Sequence, residues 1–246
     1  MITGRRPYHP GRRAVLLSGG GLVAGAAAAS AGWALSAQPA APPDPAVIPP
    51  DDDLMREHGV LKRVLLCYRE MIVRVQAGGP LDAQDLHDAA LIIHDYIEGF
   101  HEGLEEGYVF PRLVQAGRLS GTVTTLLVQH ARGRVITQFL LGGATAKGVA
   151  SPGATARLAA AMQAFVRMYE PHEAREDTVV FPAFRQILPA AELIDLGQHF
   201  SDLQDQEFGA DEFAAVVARV ASIEQSLGIY DLAQFTPQVS QYAPPA

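Results

Sequence analysis

From Asp51 onward the apolar positions recur in alternating steps of four and three. In the first long run they fall at Leu54, His58, Leu61, Leu65, Tyr68, Ile72 and Val75, the spacing of one buried helix face in a bundle. Asp51, Asp52 and Asp53 offer a cap and negative charge at its start, and Gly78-Gly79-Pro80 ends it. A second run covers 81–116, with a seam at His87, Ala90, His94, Ile97, His101, Leu104 and Tyr108; Pro111 is expected to kink or shorten its last turns. A third covers 120–141, with Val123, Leu127, His130, Arg134, Thr137 and Leu141 on one face. After the loop "GGATAKGVASPG" a fourth starts near Ala154, with a seam at Leu158, Met162, Phe165, Tyr169, His172, Glu176, Val179 and Ala183 and a bend expected at Pro171. Shorter helices are predicted over 190–208 and 210–227, followed by an irregular tail. No alternating strand pattern or Asn-Gly hairpin signal competes. The prediction is an all-α fold, an antiparallel four-helix bundle with additional C-terminal helices.

Two polar runs interrupt this pattern. "FHEGLEEGYVFP" (100–111) and "PHEAREDTVVFP" (171–182) share one layout about seventy residues apart. Each has a His, a Glu at the next position, a Glu four positions on, and then Phe-Pro. The His and the later Glu fall on the same helix face. Four histidines, His58, His101, His130 and His172, lie on the inner seams of four successive helices. Burying imidazoles and carboxylates together is costly unless something positive meets them, and Arg134 is the only cation near these seams. Metal ions answer that need. Four imidazoles with two or three carboxylates exceed the roughly four ligands of a tetrahedral zinc and suit two metals roughly 3.5–4 Å apart. Nitrogen and oxygen ligation without thiolate fits iron or manganese better than copper or structural zinc.

Composition narrows the alternatives. The net charge is −8 and no long basic run lies outside the N-terminus, which argues against nucleic acid as a partner. One cysteine, Cys67, excludes an intramolecular disulfide and a thiolate metal cage; it is expected to be buried and inert. Residues 1–37 read as an export signal: Arg12-Arg13 precedes a Gly/Ala-rich apolar run from Ala14 to Ala37 and is similar to a twin-arginine signal. The run is long enough to span a membrane, so an uncleaved anchor tethering the chain on the periplasmic side is the alternative. Residues 38–50 form a proline-rich linker, 51–210 the bundle, and 211–246 a C-terminal helix and tail.

In order and spacing, "LMREHGVLKRVL", "FHEGLEEGYVFP", "VQHARGR" and "HEAREDTVVFP" resemble the hemerythrin-like (HHE cation-binding) domain over about residues 52–210. The resemblance implies a non-haem di-iron site held by His58, His101, Glu105, His130, His172 and Glu176, with Glu105 and Glu176 bridging. Glu102 stands where some members have a second adjacent His and is a candidate seventh ligand. Arg134 occupies the place where the oxygen-carrying hemerythrins have a further His, and four histidines stand where they have five. The functions implied are binding, storage or sensing of iron and dioxygen or a related small ligand, with redox chemistry on peroxide or oxygen as the alternative. A third possibility is that metal serves only to stabilise the bundle. Tyr68, Tyr108 and Tyr169 are placed to approach such a site, and Glu106 and Asp177 either face solvent or support ligand histidines from behind. His87 and His94 extend the His101 seam, as core histidines or as a proton path.

Overall fold

The computed structural model describes residues 47–209 and 212–239; residues 1–37, expected to be an export signal, and most of the expected linker lie outside them. The described residues are all-helical, with no strand among them. Helix α1 is Pro50–Gln76. Proline in its first turn needs no amide partner there, and Asp51, Asp52 and Asp53 complement the positive helix end. The N-cap position falls on Pro49 without a side-chain cap, so the acids act through charge. Asp51 is buried and accepts from Arg185 Nε at 2.5 Å. At the other end Gly78 takes φ +79, and the Gly79 and Gly78 amides bond Arg74 O and Val75 O at 2.8 and 3.0 Å. This paired closure is the Schellman stop, which needs the left-handed residue that glycine supplies.

Helix α2 is the continuous helical stretch 83–115, opened by Asp82, whose side chain accepts from the amides of Gln84 and Asp85. It contains two π segments, Ile93–His101 and Glu105–Val109. Helix α3 is Ser120–Gly143. Helix α4 is the stretch 152–187; it runs through Pro171 and contains the π segment Glu176–Val180. Helices α5, Ala190–Phe208, and α6, Glu212–Ser226, follow, and a short 3-10 turn, Leu232–Phe235, lies in the tail.

α4 packs along both α1 and α3, and α2 along α3 and α1. Cross-links show the sense of each pairing. Asp51, His58 and Arg69 of α1 meet Arg185, Asp177 and Glu170 of α4, so these two run in opposite directions. α2 and α3 do likewise, since Glu98 meets Thr137 and Glu106 meets His130. α6 lies on α1 and α2, where Arg63 grips Glu224 with two bonds of 2.9 and 2.6 Å. The core is aliphatic and aromatic. Phe165 is buried, lies 4.2 Å from Tyr169 in a stacked pair, and meets Tyr68 edge-on at 5.9 Å.

The π segments correct the predicted seams. A π bond closes five residues back rather than four, so each such turn holds one residue more, and seven residues fall short of two full turns. His87 and His94 therefore do not continue the His101 face. Their side chains are 43% and 42% exposed and pair with Asp88 and Asp95. The same effect buries Val180 in place of Val179. On α3 the inward positions are Leu126 and Leu140, and Leu127 is exposed. Phe165→Ala is expected to lower the unfolding free energy by about 3–5 kcal/mol through a core cavity, read as a shift of the urea midpoint with little change in slope.

Candidate metal centre

Within an α-helix, residues four apart share a face. Glu105 therefore lies beside His101, and Glu176 beside His172. Glu105 Oε1 is 3.5 Å from His101 Nε2 and its Oε2 is 3.4 Å from His130 Nε2. Glu176 Oε2 is 3.1 Å from His172 Nε2 and 3.5 Å from His58 Nε2. All six side chains are buried. Two overlapping groups result, His58–His101–Glu105 and Glu105–His130–His172–Glu176, each with ligand atoms close enough to hold one metal ion. Glu105 belongs to both.

The hydrogen bonds behind the imidazoles fix which nitrogen faces inward. His101 Nδ1 lies 2.7 Å from Glu57 Oε2, His58 Nδ1 2.6 Å from Asp177 Oδ1, His130 Nδ1 2.9 Å from Glu106 Oε1 and His172 Nδ1 2.9 Å from Gln129 Oε1. Ionised carboxylates and amide oxygens only accept, so every Nδ1–H donates outward and every Nε2 is left facing inward. His130 Nε2 and His172 Nε2 then face each other at 3.2 Å. Both oxygens of Glu105 and both of Glu176 are buried without a hydrogen-bond partner. Imidazole nitrogens and carboxylates converge on one space in an apolar core, and such an arrangement needs positive charge. The buried His/Glu groups can hold a metal ion.

Without metal, protons give an uneven answer. Burial opposes the charged form of His101, but Glu105 and Glu57 outweigh it and raise its pKa well above the ordinary value. Glu105 is held low despite burial by His101, His130 and His58, whereas burial and the neighbouring Glu105 push Glu176 up. Burial lowers His172 to about 4. Burial opposes the charged form of His130 as well, but Glu106, Glu102 and Glu105 outweigh it and raise its pKa. Protons thus favour charge on His101 and His130 and a neutral Glu176, and His130 Nε2 can donate to His172 Nε2.

Each supporting group sits next to a ligand in sequence but serves the next helix. Glu57 of α1 supports His101 of α2, Glu106 of α2 supports His130 of α3, Gln129 of α3 supports His172 of α4, and Asp177 of α4 supports His58 of α1. The order closes into a ring. The two Phe-Pro pairs belong to it as well. Phe110 and Phe181 donate their amides to the carbonyls of Glu105 and Glu176, five residues back, so each π turn starts at a ligand Glu and ends before a proline that has no amide to donate. Their rings stack on His130 at 5.7 Å and on His58 at 5.5 Å. The halves α1–α2 and α3–α4 repeat one design.

Glu102 forms a third group with Glu106 and His130 whose ligand atoms are also close enough to hold a metal ion. Glu102 Oε1 accepts from the Tyr169 hydroxyl at 2.6 Å and its Oε2 from Arg134 at 2.7 Å. Arg134 also reaches Glu106 at 2.7 Å, so a guanidinium already supplies the cation between those two carboxylates. Tyr169 closes over this network where α3 has no side chain: a Cβ at Gly133 would lie 2.1 Å from its hydroxyl. Tyr108 meets His199, and Tyr68 is buried in the core. Cys67 is buried, and burial pushes its thiol up to about 12.

Glu57, Gln129 and Glu98 were not singled out by pattern. The signal for the first two was adjacency to His58 and His130, since neighbours in sequence point about 100° apart around a helix. Glu98 is buried, accepts from Thr137 at 2.5 Å, and is pushed up to about 8, chiefly by burial. A carboxyl with a raised pKa in the fold keeps a proton that the unfolded chain has released, so its contribution to stability falls as pH rises through that window. Glu98→Gln is expected to flatten the decline in melting temperature between about pH 4.5 and pH 8, measured by thermal unfolding across the range.

No protein-family model matches the chain, and no solved structure matches it. It is similar to proteins described as uncharacterized from Mycobacterium tuberculosis and Mycobacterium bovis. Each is 53% identical over 185 residues, covering 75% of this chain and 72% of the relative. At that identity and coverage, the chain belongs to the family of these mycobacterial proteins.

Proposed function

We propose that the chain is a hemerythrin-like four-helix bundle that holds two non-haem irons and binds dioxygen or a related small ligand at them. The observation that carries this reading is the pair of buried carboxylates, Glu105 and Glu176, without hydrogen-bond partners and with three of their oxygens set against four inward Nε2 atoms. A carboxylate can place one oxygen on each of two cations, and an imidazole nitrogen serves only one. His58 and His101 would hold one iron, His130 and His172 the other, with Glu105 and Glu176 shared. Ligands of nitrogen and carboxylate oxygen suit iron, or manganese, better than zinc. Iron pairs of this kind exchange electrons with oxygen species.

The protein's own part is orientation, exclusion of water and placement of protons. Four outward hydrogen bonds hold the imidazoles. The phenol of Tyr169 donates to Glu102, and burial with that carboxylate raises its pKa well above the ordinary value, so it keeps its proton; its ring centroid lies 5.1 Å from that of His172. The second reading is a redox enzyme acting on peroxide or oxygen. In a purely structural site neither reagent would change the iron.

Residues 1–37 support a further proposal of export to the periplasm by the twin-arginine route, with an uncleaved anchor as the alternative. Among the described residues no helix is long and apolar enough to cross a membrane. Replacing Arg12 and Arg13 by Lys is expected to leave precursor in the cytoplasm on fractionation; unchanged periplasmic yield would refute the route.

Elemental analysis of protein from iron-replete cells is expected to give two irons per chain, and one zinc per chain would overturn the reading. Glu105→Ala is expected to lose both metals and to lower stability, since binding and folding are linked. Glu102→Ala is expected to keep most of the iron while changing how fast the diferrous protein oxidises with oxygen and with peroxide in stopped flow.

A further inference from the structure

The two halves of the ring match closely except at one place. His58 and His130 correspond, and each follows the residue that supports the next helix. In the first half that residue is Glu57, fully buried, with its Oε2 2.7 Å from His101 Nδ1. In the second it is Gln129, whose amide oxygen lies 2.9 Å from His172 Nδ1. Three ligand histidines therefore donate to carboxylates, and His172 alone donates to a neutral amide. A carboxylate partner draws the Nδ1 proton toward itself and makes Nε2 a stronger donor to metal; an amide does so far less. His172 is the weakest of the four imidazole ligands.

A second observation falls on the same side chain. Between α3 and α4 a cavity of about 210 Å³ is lined by Thr122, Thr125, Gln129, His172 and Arg175. Gln129 and His172 form part of its wall, so the group that orients His172 is also the group that meets the cavity. Thr125 is exposed. Arg175 at this cavity gives it an attraction for small anions. The opposite support, Glu57, is enclosed in the core with the Tyr96 hydroxyl 3.4 Å away.

We propose that the two metal positions are unequal: the ion held by His130 and His172 is the labile one, and it exchanges through the cavity between α3 and α4, with Gln129 as the positioning residue that sets its rate. This rests on the two-metal reading above. When the Gln129 amide turns away, His172 has space on its outer side to swing into, and releasing one weak ligand exposes the ion to an outside donor. The ion between His58 and His101 is held by two imidazoles that both donate to carboxylates, Asp177 and Glu57. Exchange at one position with retention at the other makes the pair a centre that can be half-emptied and refilled without unfolding.

The test is removal of iron from the anaerobic diferrous protein by excess ferrozine, an anionic ferrous chelator, followed by absorbance. The wild type is expected to release its two irons in two phases of equal amplitude. Gln129→Glu is expected to slow the fast phase about 10-fold and leave the slow one alone. Gln129→Ala is expected to speed the fast phase. Glu57→Gln is expected to speed only the slow phase by about the same factor. Thr125→Trp, a bulky side chain on an exposed position at the cavity, is expected to slow both loading and release of the fast iron while two irons still bind. Release in one phase, a Gln129 variant acting on the slow phase, or Thr125→Trp leaving the rates unchanged would each overturn the proposal. A starting content other than two irons per chain would overturn the two-metal reading instead, before any rate is compared.

Discussion

The structure depends on a demand for positive charge at the centre of its core. Glu105 and Glu176 present four buried oxygens that no donor meets, and the imidazoles around them turn Nε2 inward. Leaving even one carboxylate charged and unpaired in an apolar interior costs more than a typical domain can spare. Protonation relieves part of this, unevenly, through His101, His130 and Glu176. A proton on His130 lets its Nε2 donate to His172 Nε2 at 3.2 Å, and surrounding contacts hold every side chain of the centre in place.

Those contacts form a closed ring rather than four separate supports. No helix orients its own histidine. Each ligand is held by the side chain that precedes or follows a ligand on the neighbouring helix, and Phe110 and Phe181 add ring contacts to His130 and His58. Displacement of one helix therefore misorients a ligand that belongs to another. Binding at the centre and packing of the four helices act on the same set of coordinates, as expected for a site whose formation is coupled to folding.

Much of this was legible in the sequence. The four-and-three spacing located the helices, and the repeated His–Glu layout, with the seam positions of His58 and His130, pointed to His58, His101, Glu105, His130, His172 and Glu176 as one cluster. What it hid has two physical causes. Seam positions were projected on an α period, and the π segments break that period, which is why His87 and His94 point outward and Val180 rather than Val179 is buried. The supports Glu57 and Gln129 were hidden because they lie off the ligand face of their own helix and matter only to the next. Glu102, a candidate seventh ligand by its position, is engaged by partners the pattern does not show, Arg134 and Tyr169, the latter reaching it across the space left by Gly133.

The π turns also bear on how such a site tolerates changes in chain length. In α2 and α4 one residue beyond the α count lies between the ligand Glu and the Phe that stacks on a histidine of the adjacent helix. Deleting one residue within 106–109 or 177–179 would let an ordinary α turn form. Five residues of a π turn and four of an α turn advance by nearly the same angle, so Phe110 or Phe181 would stay near its histidine. The loss would fall on the turn itself, from which Glu106 and Asp177 reach His130 and His58. The surplus residue is thus part of the centre's geometry, and chains that share the ligand positions but differ by one residue in these turns would present different walls to whatever enters.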